Sequence, residues 1–429
     1  MAPNGCRTDV RHFPYRLDCM NSNIISIPKI NSDTTWSEID FENNKIDLLT
    51  RCQFIKLRVK RLNLKSNHII RIQESTFKDI RGLNELILAS NNLTALQAEI
   101  FSDTTELSTL DLSNNPFQNL DINGLLEQLD STLEILILRN ISSINKNIIS
   151  QNFMNGSNLK ELDLSCNDLK ILNVDTFNSM INLKKLILNG NKLKNLNGLI
   201  FKNLINLIDV QINQNELIEL PQIQSNSIQT LTLEENLIES LTLFALTNMT
   251  NLTSLILDKN QLSTIHTHTF CNTSTMLRLI SMDQNQFQTL SYCSLNTTTS
   301  TNKLRYSFQK NERLICSCDL YNAYRRQKHW TIDIDDCLLS MNKTSLENLT
   351  DSICQDNIVC NTDCMKTHTQ IVNEIKRLEE EKQRKGNKQH DGRKTNEQRS
   401  KNRNMAISMF NTQLVSFQLI IIIMLRTFN

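Results

Sequence analysis

An asparagine recurring at a nearly fixed interval limits what this chain can fold into more than any other feature of its 429 residues. It sits in the pattern LxxLxLxxNxL and falls at Asn44, Asn67, Asn91, Asn115, Asn167, Asn191, Asn215, Asn236, Asn260, Asn285 and Asn311, mostly 23 to 26 residues apart. The interval from Asn115 to Asn167 is double length and holds a degenerate unit, with Leu133, Leu136 and Leu138 in register but Ile141 in the asparagine's place. The interval from Asn215 to Asn236 is short, at 21 residues. Twelve units in one register specify an array of stacked supersecondary elements rather than a chain wrapped around one closed core.

Each unit makes chemical sense. Between Leu183 and Leu193, the side chains of Leu183, Leu186, Leu188 and Leu193 are predicted to point inward, with Leu186 and Leu188 alternating as a short parallel strand requires. No unit can close a core alone, so stability is expected from the interfaces between units. The asparagine turns the chain out of the strand, and its amide can satisfy buried backbone groups that lack a ladder partner. Ten residues after it a phenylalanine recurs, at Phe77, Phe101, Phe177, Phe201 and Phe270. A fixed place in a buried repeat makes these rings packing elements of the convex side rather than a ligand groove. The expected fold is an α/β repeat solenoid in which each unit adds one short strand to a parallel β-sheet.

Composition argues against catalysis and against nucleic acid. Only 8 glycines and 5 prolines are present, which is unlike an enzyme that shapes a pocket with tight turns. A net charge of +1 leaves little electrostatic pull on a polyanion. The chain contains no GxSxG elbow, no phosphate-binding glycine loop and no HExxH helix. His266 and His268 form an HxH pair without a carboxylate or cysteine at ligand spacing, so neither a metal nor a cofactor is expected.

The pattern, with its period near 24, resembles the typical class of extracellular leucine-rich repeats over about residues 36–311. The segment beyond it, Cys316-Ser-Cys318-Asp-Leu320 and then Trp330, Cys337, Leu346, Leu349 and Cys354, resembles that family's C-terminal cysteine cap. The resemblance implies bonds from Cys316 to Cys337 and from Cys318 to Cys354, with Cys360 and Cys364 left as a local pair, although sequence alone does not fix connectivity. Cys19 with the apolar stretch after it is similar to the last part of an N-terminal cap, and Cys6 lies upstream. Cys271 and Cys293 are 22 residues apart in neighbouring units and could bridge adjacent turns, while Cys52 and Cys166 have no obvious partner. The expected organisation is a partial N-terminal cap at 1–35, repeats at 36–311, a C-terminal cap at 312–364, a charged stalk at 365–404 and a hydrophobic tail at 405–429.

These features carry a functional expectation. The family's strands line a concave face on which protein ligands most often bind, so the residue between the inward leucines is the one to read. Across the units it is Asn63, Ile87, Asp111, Ile137, Asp163, Ile187, Gln211, Thr232, Ile256, Ser281 and Ser307. The isoleucines are expected to face solvent, with Ile135 beside them, as an apolar centre ringed by Asp111, Glu161, Asp163 and Lys185. The alternative is that β-branched residues merely favour strands. Glu234, Glu235, Asp258 and Asp283 form a second, acidic trend suited to a basic partner.

The tail, ending in Leu419-Ile-Ile-Ile-Ile-Met-Leu425, fits either a lipid-anchor signal or a spanning helix, and so predicts membrane attachment. A lipid-anchored form would act through a co-receptor or in adhesion. Residues 1–19 lack the apolar run of a secretory leader, so the natural start is expected upstream. Sequons at Asn92, Asn140, Asn155, Asn248, Asn251, Asn272, Asn296, Asn342 and Asn348 permit glycosylation but are no more than this composition produces by chance. The whole reads as a cell-surface recognition protein, similar to the Nogo receptor and connectin-like families. The rival readings are a secreted matrix or decoy protein and an intracellular scaffold.

Overall fold

The computed structural model describes residues 5–344 except 10, 12, 142–151, 242–245, 247, 267–268, 271–273, 296–303, 326–329, 336 and 340–341. One 15-stranded sheet runs through the repeats. Its strands, in spatial and sequence order, are Arg7–Asp9, Tyr15–Asp18, Thr35–Asp40, Arg58–Asn63, Glu85–Ile87, Thr109–Asp111, Ile135–Ile137, Glu161–Asp163, Lys185–Ile187, Asp209–Gln211, Thr230–Thr232, Ser254–Ile256, Leu279–Ser281, Leu304–Ser307 and Trp330–Asp333. The first two pair antiparallel; every later pair is parallel. The twelve strands from Thr35–Asp40 to Leu304–Ser307 correspond to the twelve units in the sequence. Most span only three residues, because only that stretch of each unit keeps the alternation in which the middle side chain is buried and its neighbours are not, as in Thr109–Asp111.

The recurrent asparagines form a buried ladder along the solenoid. Asn91 Nδ2 donates to the carbonyls of Leu88 in its own unit and Leu64 in the previous one, both at 3.0 Å, while its Oδ1 accepts from Ile69 N at 3.0 Å. Asn115 does the same with Leu112 O and Leu88 O, both at 2.9 Å, and Leu93 N at 3.1 Å. Asn191 goes further, since its Oδ1 accepts from both Asn167 N and Leu169 N at 3.0 Å. Each amide therefore serves backbone groups of two turns that no strand could reach. At Ile141 the rung is replaced by an aliphatic side chain with no exposed surface.

The residue before each ladder position is left-handed. From Asn43 through Ser66, Ser90, Asn114, Asn140, Cys166, Gly190, Gln214, Glu235, Lys259 and Gln284 to Lys310, φ lies between 53° and 65°. This kink turns the chain inward, so that the next side chain enters the core while the N–H of the kinked residue bonds the following turn, as Asn114 N does to Arg139 O at 2.8 Å. Asparagine and glycine adopt this conformation readily; Cys166, Glu235 and Lys259 hold it at a cost that the surrounding ladder offsets.

The recurrent phenylalanines are buried on the convex side. Phe77 stacks on Phe54 at 5.7 Å and on Phe101 at 6.1 Å, and Phe177 stacks on Phe153 at 5.8 Å. Between these runs a convex helix, Ile122–Leu129, takes over, burying Ile122, Leu125, Leu126 and Leu129 and capped by the Asp121 side chain on Gly124 N at 2.9 Å.

The ends are closed by different devices. Cys6 is bonded to Cys19 across the antiparallel pair, and Cys316 to Cys337 across the helix Cys318–Arg325. Cys318 is also disulfide-bonded, whereas Cys52 and Cys166 are free thiols. Cys271, Cys354, Cys360 and Cys364 lie outside the described residues, as does the side chain of Cys293.

Candidate functional site

The concave face is built from the two outward residues of each strand and the outward residue two positions beyond its end, since the residue directly after the strand, such as Leu112 or Leu138, is buried in the core. In the row nearest the kink, register places Asn63 beside Ile87, Ile87 beside Asp111, Asp111 beside Ile137, Ile137 beside Asp163, Asp163 beside Ile187 and Ile187 beside Gln211. Isoleucine and aspartate thus alternate across five consecutive strands. This differs from the expected apolar centre with a charged ring, because the carboxylates lie between the isoleucines. Ile135 occupies the parallel row, between Thr109 and Glu161.

The expectation that all the isoleucines face solvent is corrected. Ile87 and Ile187 are only 9% exposed, although both stand outside the hydrophobic core cluster; Ile135 and Ile137 are half-buried. Neighbouring strands stand about 4.8 Å apart, so each outward side chain is flanked on both sides by its neighbours in the row.

Most charges on this face are already matched. Arg61 lies between Glu38 at 3.4 Å and Glu85 at 3.6 Å, Arg16 reaches Glu38 at 3.0 Å, and Lys65 reaches Glu42 at 3.4 Å. Glu134 pairs with Lys160 at 2.5 Å and Glu161 with Lys185 at 3.1 Å. Asp111 and Asp163 are different. Each uses Oδ1 to hold a backbone N–H two residues on, Ser113 at 2.9 Å and Ser165 at 2.8 Å, which closes the strand with an Asx turn. Neither forms an ion pair with any described residue.

The second patch proves to be largely occupied internally. Lys259 clamps Glu234 at 2.8 Å and Glu235 at 2.6 Å, which raises the lysine's pKa and, with Gln214, lowers that of Glu235. Asp258 Oδ1 accepts from Ser281 Oγ at 2.6 Å and from Asp283 N at 2.9 Å. Burial raises the Asp258 pKa, partly countered by those hydrogen bonds. The sequence signal missed here is the run of Asn189, Asn213, Asp258 and Asp283, whose side chains each accept from the corresponding backbone N–H of the next unit, at 2.7–2.9 Å.

The sequons are spread over the surface. Asn92, Asn140 and Asn251 are exposed and Asn155 and Asn248 half-buried; Asn272, Asn296, Asn348 and the side chain of Asn342 lie outside the described residues. Among the described residues no group of three or more histidine, cysteine or carboxylate side chains is placed to hold a metal, and no helix is long and apolar enough to cross a membrane. The tail at 405–429 lies outside them.

A parallel sheet on one face, an asparagine ladder beneath it and a phenylalanine-packed convex side define a leucine-rich-repeat solenoid. The leucine rich repeat model matches residues 57–117, and the BspA type leucine rich repeat region model matches 146–277 and 223–315. No curated protein matches the sequence. Among solved structures, the glycosylated Toll–Spatzle complex of Drosophila matches with 21% identity and a TM-score of 0.57, over 74% of this chain and 48% of that one. The octameric complex of Latrophilin 3, Unc5D and FLRT2 (LRR) matches with 17% identity and a TM-score of 0.56, over 82% of this chain and 100% of the other. This chain spans about half the length of the Toll chain it matches. At these identities the likeness is one of fold.

Proposed function

We propose that this protein is a non-enzymatic recognition module that binds a protein partner on the concave face of its solenoid, outside the cell. The observation that carries the reading is the strip of outward isoleucines, half-buried at Ile135 and Ile137, and unpaired aspartates on a face whose other charges are largely matched. It combines an anchor that excludes water with polar groups that fix orientation. The disulfide-closed ends suit an oxidising compartment. Two structural neighbours, named for complexes with Spatzle and with Unc5D and Latrophilin 3, support a protein rather than a small molecule as ligand. Attachment to a membrane through residues 405–429, and work with a co-receptor, belong to the same proposal.

The test compares the full chain with a variant carrying Ile135→Lys and Ile137→Lys, both labelled and applied to a panel of cells in flow cytometry. Both positions face outward, so the variant should melt within a few degrees of the parent and lose its cell binding. Undiminished binding by a folded variant would move the site off the concave face. Ile187 is the poorer target, because a charge at a position only 9% exposed would also disturb the sheet.

A further inference from the structure

The alternation of isoleucine and aspartate in one row specifies more than an apolar surface. Ile87, Asp111, Ile137, Asp163 and Ile187 are register partners on five successive strands, so they form a continuous file rather than a scattered patch. Strands in a sheet are about 4.8 Å apart, which puts Asp111 and Asp163 about 9.6 Å apart with Ile137 midway. Each aspartate commits Oδ1 to its Asx turn. The glutamates nearby, Glu85, Glu134 and Glu161, have Arg61, Lys160 and Lys185 as partners, whereas Asp111 and Asp163 have no cationic partner among the described residues. The strip therefore carries two unmatched negative charges at a fixed spacing, bracketed by aliphatic side chains.

We infer that the occupant of this strip is an amphipathic α-helix lying across the strands, with lysine or arginine seven residues apart and an apolar residue on the turn between. This rests on the concave-face reading above and deepens it. The spacing selects the helix. One helical turn advances 5.4 Å, so over the four strand steps of the strip a helix drifts from register by about 2.4 Å, half a strand spacing. An extended strand repeats a side chain on one face every ~6.7 Å and drifts by about 7.6 Å, more than a whole strand. Two helical residues seven apart are about 10.5 Å apart, close to the separation of the two carboxylates. Charge complementarity sets the sign: the basic residues face Asp111 and Asp163, and the apolar turn meets Ile135 and Ile137.

The probes are three labelled peptides titrated against the full chain by fluorescence anisotropy. The first is a stapled helix with lysines seven apart and leucine on the intervening turn. In the second, glutamates replace the lysines. The third has the first composition with two central prolines that prevent the helix. The first peptide should bind at least tenfold more tightly than either of the others, and its affinity should fall as salt is raised.

The double variant Asp111→Asn and Asp163→Asn should bind the first peptide at least tenfold more weakly while melting like the parent. An amide can replace each carboxylate in the Asx turn, as Asn63 does by accepting from Lys65 N at 3.1 Å. No binding by the first peptide, equal binding by all three, or unchanged binding by the double variant would each overturn the inference. If peptides bind without regard to charge or helix and lose that binding on Ile135→Lys with Ile137→Lys, only the helical occupant falls. Binding that survives this variant removes the concave-face reading as well.

Discussion

The Asn191 side chain satisfies four backbone groups at once, Leu164 O, Leu188 O, Asn167 N and Leu169 N, while itself only 5% exposed. Removing it strands those groups away from water. Asn191→Ala should therefore cost about 1–3 kcal/mol in chemical denaturation, and a variant that unfolds with the parent would remove the ladder from the stability account. Asp258 works in the opposite sense. Burial lifts its pKa, so the ionised form opposes folding; the neutral form's advantage is present at low pH and lost as pH rises through the folded pKa. Asp283 and Glu234 add to the lift, and the bonds from Ser281 and from the Asp283 amide oppose it. Asp258→Asn keeps an acceptor for both donors. It should melt at or above the parent at pH 7 and coincide with it at pH 3; a variant less stable at pH 7 would mean that the charge itself is needed.

At the scale of the element, irregular units explain themselves by what packs against them. The short interval from Asn215 to Asn236 is possible because Gly198 lets the neighbouring turn come close: a Cβ there would overlap the backbone of Gln222 and Ile223. Gly198→Ala must push two turns apart, and should destabilise by more than Phe77→Ala, for which loss of a fully buried ring predicts about 3–5 kcal/mol. Parallel melts of the two variants decide the order. The degenerate unit exchanges one kind of stabilisation for another. Ile141 gives up the rungs an asparagine would make but buries a whole aliphatic side chain, and the helix Ile122–Leu129 fills the convex side there. A buried isoleucine contributes roughly 1.5–3 kcal/mol and each rung a net ~1 kcal/mol. The two nearly balance, so Ile141→Asn should fall within about 1 kcal/mol of the parent in urea titration.

Across the whole solenoid, neighbouring turns carry the stability, and the ends are where fraying starts. The bond from Cys316 to Cys337 closes a 21-residue separation over the last turns. A chain-entropy estimate gives it about 3 kcal/mol, so Cys316→Ser with Cys337→Ser should unfold first from the C-terminal side. Hydrogen exchange should speed up around Leu304–Ser307 and Trp330–Asp333 and remain slow in the central strands. Equal protection in both proteins would assign the end's stability to Trp330, which packs edge-on against Tyr306 at 5.8 Å, rather than to the disulfide.

The sequence alone determined the repeat, its register, the buried asparagines and the convex phenylalanines, because each is dictated locally: one residue type at one step in a pattern that every turn must satisfy. It also named the residues of the concave rows. Only the tertiary structure decided how much of them water reaches and which charges remain unmatched. Ile87 and Ile187 are covered by neighbours about 24 residues away in the chain, and Glu234, Glu235 and Asp258 are engaged by Lys259, Ser281 and Asp283. The left-handed kink lay in between. Asn43, Asn114, Asn140 and Gly190 hinted at it, but Cys166 and Lys259 adopt it only because the strand before and the ladder after leave the chain no other path. Exposure and charge balance depend on what the next turn places alongside, and a linear pattern does not contain that.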